Sequence, residues 1–180
     1  MAREVVLLRG VNVGGRKLSM PALRTALEEA GCGDVATYIA SGNVLLRPPA
    51  PAPKNLRSWL ERVIADVAGF EVPVVLRTAA ELERTVARNP YPDAGGTRLH
   101  VVFFADAPGK AALEGVDVDA FAPEECRLVD RDLYLHLPDG MGRAKLPVAL
   151  DKAARRAKSP AAGTARNWHT VLKLVELAED

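Results

Sequence analysis

The sequence is poor in the residues that most often give a protein's chemistry away. It has two cysteines, Cys32 and Cys126, and three histidines in 180 residues. The cysteines lie far apart, and neither has another Cys or a His at metal-ligand spacing, so neither a disulfide framework nor a zinc site is indicated. Nothing in the chain calls for a cofactor. No apolar run approaches membrane-spanning length. The stretch Val5 to Leu8, followed by Arg9, lacks the length and cleavage signal of a secretory peptide. Two free thiols fit a reducing cytosol, and a cytoplasmic location is expected. Charge of one sign is missing too: 24 Lys and Arg face 23 Asp and Glu, a net charge of +1. A whole-surface field holding duplex nucleic acid non-specifically is thereby excluded, and any basic site must be local.

What remains is ordinary globular composition, 48% apolar and 26% charged, enough for a hydrophobic core without staples in one large or two small domains. Glu4 to Leu8 reads as a strand covered on both faces. Ser19 is a helix N-cap, with Met20, Leu23, Leu27 and Ala30 at helical spacing behind it and Gly31 as the stop. Val35 to Ala40 and Val44 to Arg47 read as strands joined through Ser41, Gly42 and Asn43. After a Pro-rich stretch, Leu56, Leu60, Val63, Ile64 and Val67 form a helical stripe ended by Gly69, before the extended run Val72 to Arg77. The order is βαββαβ, a ferredoxin-like unit.

Thr78 and Glu81 have capping-box spacing for a third helix, stopped by Asn89 and Pro90. Leu99 to Phe104 reads as a strand, Pro108 as the opening of a short helix, and Arg127 to Val129 with Leu133 to Leu137 as a hairpin around Asp130 to Asp132. A helix from about Lys145 follows, and a final amphipathic helix carries Trp168, Val171, Leu172 and Val175. The expected fold is α+β: two ferredoxin-like (βαββα-type) units packed together, residues 1–77 and 78–180, with an extra C-terminal helix. The all-apolar first strand needs cover on its second face, from the other half or from a homodimer partner.

Four blocks stand out: LLRGVNVGG at Leu7 to Gly15, YIASGNV at Tyr38 to Val44, GMGRAKL at Gly140 to Leu146 and TARNWHT at Thr164 to Thr170. Together, in this order, they resemble the bacterial domain-of-unknown-function family 1697 over essentially the whole chain. The resemblance implies a cytosolic bacterial protein with two related α/β units and no settled activity. The chain departs from the family pattern at Ala144, where Ser is expected, at His169, where Asn is usual, and in the basic, Ala-rich segment 152–163. The first departure removes a hydroxyl and any serine nucleophile from that position.

Read as chemistry, Gly140, Gly142, Arg143 and Lys145 combine close-approach glycines with cations just before a helix start, a phosphate-site composition without the P-loop spacing. A turn with solvated cations is the competing explanation. Arg9, Asn12, Gly14 and Gly15 follow a buried strand, where ligand residues often sit, although an Asx turn at Asn12 and an ion pair at Arg9 would explain them equally. Ser41 and Asn43 suit a tight turn, or line a site. Thr164 is expected to cap the final helix, with Arg166 and Asn167 in its first turn, where the helix dipole disfavours Arg unless an anion lies opposite. His100 and His136 read as satisfied sheet residues, Trp168 as core, and Lys152, Arg155, Arg156 and Lys158 as a solvated face. No catalytic set can be assembled from spacing.

The leading functional expectation is a pocket for a phosphorylated or nucleotide-like anionic small molecule, with enzymatic activity open. The ferredoxin-like order also fits a single-stranded RNA-binding module, but Val5 to Leu8 and Val44 to Leu46 lack the stacking aromatics such modules use. A third reading is an assembly protein with no small-molecule site, whose signature cations would be buried against carboxylates.

Overall fold

The computed structural model describes residues 3–108, 113–156 and 163–179. In these the chain runs β1 (Glu4–Leu8), α1 (Met20–Glu29), β2 (Gly33–Tyr38), β3 (Asn43–Arg47), α2 (Leu56–Ala68), β4 (Val74–Thr78) and α3 (Ala79–Ala87). It continues as β5 (Leu99–Phe104), β6 (Glu125–Val129), β7 (Asp132–His136), α4 (Leu146–Arg156), β8 (Gly163–Asn167) and α5 (Trp168–Glu179). The result is α+β, with two four-stranded sheets in the orders β2-β3-β1-β4 and β6-β7-β5-β8. Every pairing is antiparallel. The chain divides into two compact units, Met1–Leu82 with Leu174–Asp180, and Glu83–Lys173.

In the first unit, α1 is capped by Ser19, whose Oγ accepts from Ala22 N at 3.3 Å. Helix α2 is capped by Asn55, whose Oδ1 accepts from Ser58 N at 3.0 Å. Leu23 and Leu27 of α1 and Leu60 and Ile64 of α2 pack with Val6, Leu8, Val44 and Leu46 of the sheet. Each such burial contributes about 1.5–3 kcal/mol before entropy is counted. Because side chains alternate along a strand, Val5, Leu7 and Leu45 belong to the opposite face, and they too are fully buried. The continuous apolar run of β1 is thus covered on both faces within a single chain, with no second copy needed for it.

In the second unit, Leu146 and Leu150 of α4 pack on Phe104, Leu133, Leu135 and Leu137. Helix α3 opens with the expected capping box: Thr78 N donates to Glu81 Oε2 at 2.9 Å and Glu81 N to Thr78 Oγ1 at 3.3 Å. Its later half meets the sheet face opposite α4, where Tyr134 Oη donates to Thr85 O and Thr85 Oγ1 to Asp132 Oδ2, both at 2.6 Å. The helix expected to open at Pro108 and the basic residue Lys158 fall at or in segments outside the described residues.

Two expectations need correction. Thr164 and Arg166 are not at the start of the final helix but in β8, whose Gly163–Asn167 pairs with β5 from Phe104 back to His100. Pairing with the free edge of β5 satisfies the backbone here, and the helix begins only at Trp168. Its buried stripe is therefore Trp168, Val171, Leu174 and Ala178, while Leu172 is exposed. Trp168, expected as core, is buried.

Candidate functional site

The sequence candidates fall into two groups, one in each unit. In the first, β1 pairs with β3 through Leu7 and Asn43, and Leu8 N donates to Gly42 O at 2.8 Å. Extending that register sets Arg9 opposite Ser41, so topology brings the loop after β1 and the β2–β3 turn to one end of the sheet. Asn12 fastens them: its Nδ2 donates to Ala40 O at 2.7 Å and to Leu18 O at 3.2 Å, and its Oδ1 accepts from Leu18 N at 3.0 Å. Asn12 is a clasp, and all its side-chain polar groups are spent on backbone.

Asn43 is likewise turned inward, wholly buried, with Nδ2 donating to Tyr38 O at 2.9 Å and Ser41 Oγ at 3.2 Å. Gly14 and Gly15 occupy the centre of a tight turn bridged by Val13 and Arg16, at φ +55° and +81°. This turn needs residues that accept positive φ at both positions. Open space surrounds both glycines. Arg16 braces the loop by donating to Gly10 O at 2.9 Å and Glu71 O at 2.6 Å, with its guanidinium 4.3 Å from the centre of the Phe70 ring.

Arg9 differs from all of these. Among the described residues it is the one cation, buried or half-buried, whose side chain has no hydrogen-bond or ion-pair partner. Arg3 and Arg131 reach carbonyls, and Arg77 and Arg166 are bonded as described below. The Arg9 stem is partly covered while its guanidinium is left to find a partner outside the described residues.

In the second unit the loop Gly140–Lys145 leads into α4 as expected, and Arg143 and Lys145 point their charge into solvent as exposed residues. The helix start itself is taken. Glu124 places its carboxylate there, accepting from Lys145 N at 3.0 and 3.1 Å and from Leu146 N at 2.7 Å. A carboxylate from the same chain thus fills the anion position at this helix end. Asn167 caps α5, its Oδ1 accepting from Thr170 N at 2.9 Å. His169 is exposed and lies against Gly96, where an added Cβ would come within 2.8 Å of its Nε2.

Arg166 is buried, with Nη1 donating to Thr164 Oγ1 and Ala165 O, both at 2.8 Å. Burial pushes its pKa down to about 10, so it stays charged at neutral pH. It has a counterpart the sequence reading missed. Arg77 is 1% exposed and donates from Nη1 to Leu76 O at 2.9 Å. Arg77 pairs with Val5 of β1 as Arg166 pairs with Val101 of β5. Each arginine is followed by a polar residue, Thr78 or Asn167, that caps the next helix.

His136 meets its sheet-residue expectation, with Nδ1 3.0 Å from Glu125 Oε2 and the Tyr91 ring 5.5 Å away. Burial, with Glu125 nearby, pushes Tyr91 up to about 12. His100 does not: its Nδ1 is buried with no hydrogen-bond partner, and burial lowers its pKa. The polar demand of that imidazole cannot be read from a strand pattern. No group of three or more His, Cys, Asp or Glu among the described residues is placed to hold a metal, and no helix there is long and apolar enough to cross a membrane.

A family model described as a protein of unknown function, DUF1697, matches residues 1–134. The conserved bacterial protein SP0830 from Streptococcus pneumoniae is similar in structure, with a TM-score of 0.65 and 22% identity over 100% of this chain and 99% of that one. At that identity the likeness is one of fold. No curated protein matches the chain.

Proposed function

The chain belongs to the DUF1697 family, whose function is unknown, and from that premise we propose that it binds an anionic small molecule, phosphorylated or nucleotide-like, at the loops following β1. The observation that carries this reading is Arg9, a half-buried arginine whose side chain has no partner among the described residues. It stands at the end of a central strand beside a turn held in place by Asn12. A phosphate there would supply the missing charge and two or more hydrogen bonds. Ser41 lies at the register position facing Arg9 and serves as a rim hydroxyl. Asn12, Asn43, Gly14 and Gly15 shape the loops without touching the ligand. The loop bearing Gly140, Gly142, Arg143 and Lys145 is the weaker candidate, because Glu124 already takes its helix-start donors.

The units themselves we read as ferredoxin-like and related by duplication. Identical strand orders and the matched positions of Arg77 and Arg166 support this. An RNA-binding sheet face is disfavoured, because both faces of β1 and β3 are buried from Val5 to Leu8 and from Val44 to Leu46. An assembly role would pair the signature cations with carboxylates, which does not describe Arg9.

Calorimetric titration with inorganic phosphate tests the proposal. The wild type should bind saturably and Arg9→Gln about 10- to 100-fold more weakly, the loss of charge-assisted hydrogen bonds. Lys145→Ala should bind as the wild type does. Equal affinity of wild type and Arg9→Gln, both folded, sinks the assignment.

A further inference from the structure

Large apolar side chains are exposed at four positions among the described residues, and two of them adjoin Arg9: Val13 at 60% and Ile39 at 50%. Val13 lies four residues beyond Arg9 on the same loop. Ile39 lies two residues before Ser41, in the turn that Asn12 ties to that loop through Ala40 O. Single exposed apolar residues are ordinary, but Ile39 is not an ordinary case. It holds φ at +50°, a conformation that β-branched residues rarely adopt. The surroundings impose it: Asn12 grips Ala40, and Gly42 sits so close to Leu8 and Val11 that an added Cβ would lie 2.7 Å from each. Even so, half of the Ile39 surface remains in water.

Within these two loops the charges are all of one sign, although Glu71 of the neighbouring loop lies close by, its carbonyl 2.6 Å from Arg16 Nη2. Residues 9–18 and 38–43 contain Arg9, Arg16 and Lys17 and no acidic residue. Arg16 is committed to bracing the loop. The two loops at this end of the sheet therefore carry one guanidinium without a partner among the described residues and two exposed aliphatic side chains. Inorganic phosphate or a sugar phosphate would satisfy the charge and leave both aliphatic groups in water.

We propose that the ligand class of this site is an organic phosphate with an apolar body, its phosphate on Arg9 and its body over Val13 and Ile39. The inference rests on the anion-binding reading above and narrows it. The test compares inorganic phosphate, glycerol 3-phosphate and phenyl phosphate by calorimetry, on the wild type and on the double variant Val13→Ser with Ile39→Asn. Asn tolerates positive φ, so the double variant should melt no lower than the wild type. Phenyl phosphate should bind the wild type about tenfold more tightly than glycerol 3-phosphate, the effect of covering part of a ring and two aliphatic side chains. The double variant should lose that preference and keep the wild-type affinity for inorganic phosphate. If the wild type binds all three alike, or the double variant retains the preference, the apolar-body class is wrong while anion binding stands. If the wild type binds inorganic phosphate no better than Arg9→Gln does, the anion reading fails and this inference with it.

Discussion

His100 sits on β5 between Leu135 of β7 and Asn167 of β8, with Nδ1 sealed from water and from any partner. Burial holds its pKa below the ordinary 6.5, so the unfolded chain takes up this proton before the folded chain does. The sign follows from linkage: stability is complete above pH 6.5 and is lost as pH falls from there through the folded value. Urea denaturation of the wild type should show its midpoint falling between pH 7.5 and 5, and His100→Leu should flatten that fall. An equal slope in both would remove His100 as the cause. None of this was legible in the sequence, where a histidine inside an apolar run reads as one more sheet residue. The loop positions of Arg9 and Ser41 were legible, because Arg9 comes just past a buried apolar run and Ser41 stands in a turn-forming Ser-Gly-Asn stretch. Arg77 was not, since nothing distinguishes a buried arginine from an edge one in the run Val74 to Thr78.

The helix start at Leu146 owes its anion to a residue about twenty positions earlier. Glu124→Gln keeps the shape but removes the charge facing Lys145 N and Leu146 N. It should cost about 1 kcal/mol by chemical denaturation, in the range of a lost helix cap. An unchanged stability would mean that water replaces the carboxylate at no loss. Helices α1 and α3 were readable because their caps Ser19 and Thr78 stand directly before apolar stripes, and α2 from its stripe and the stop at Gly69; its cap Asn55 was not read. Strand β8 was missed because its inward residues are Thr164 and Arg166, which are polar, and its outward Ala165 is exposed. The alternation of burial is present, but hydrophobicity does not report it. That one error displaced the start of α5 and misassigned Leu172 to the buried stripe.

At the scale of the whole molecule, the N-terminal unit contains Leu174–Asp180 as well as Met1–Leu82. Arg3 Nη1 donates to Leu177 O at 2.9 Å across that gap in sequence, and Leu174 is wholly buried. Leu174→Ala should therefore cost about 2–5 kcal/mol, the usual range for a leucine cavity. The loss should appear as faster amide exchange in β1 to β4. Faster exchange confined to β5 to β8 would contradict the assignment of this segment. An α+β fold was legible from the order of apolar runs, but this return of the chain was not, because no motif in α5 marks which unit its later turns join. The same arrangement bears on how the protein is made. A ribosome adding about 5–20 residues per second needs roughly 5–20 s to travel from Leu82 to Leu174. Throughout that interval the first unit is on the nascent chain without one of its own pieces, and its native form becomes available only after the second unit has been synthesised.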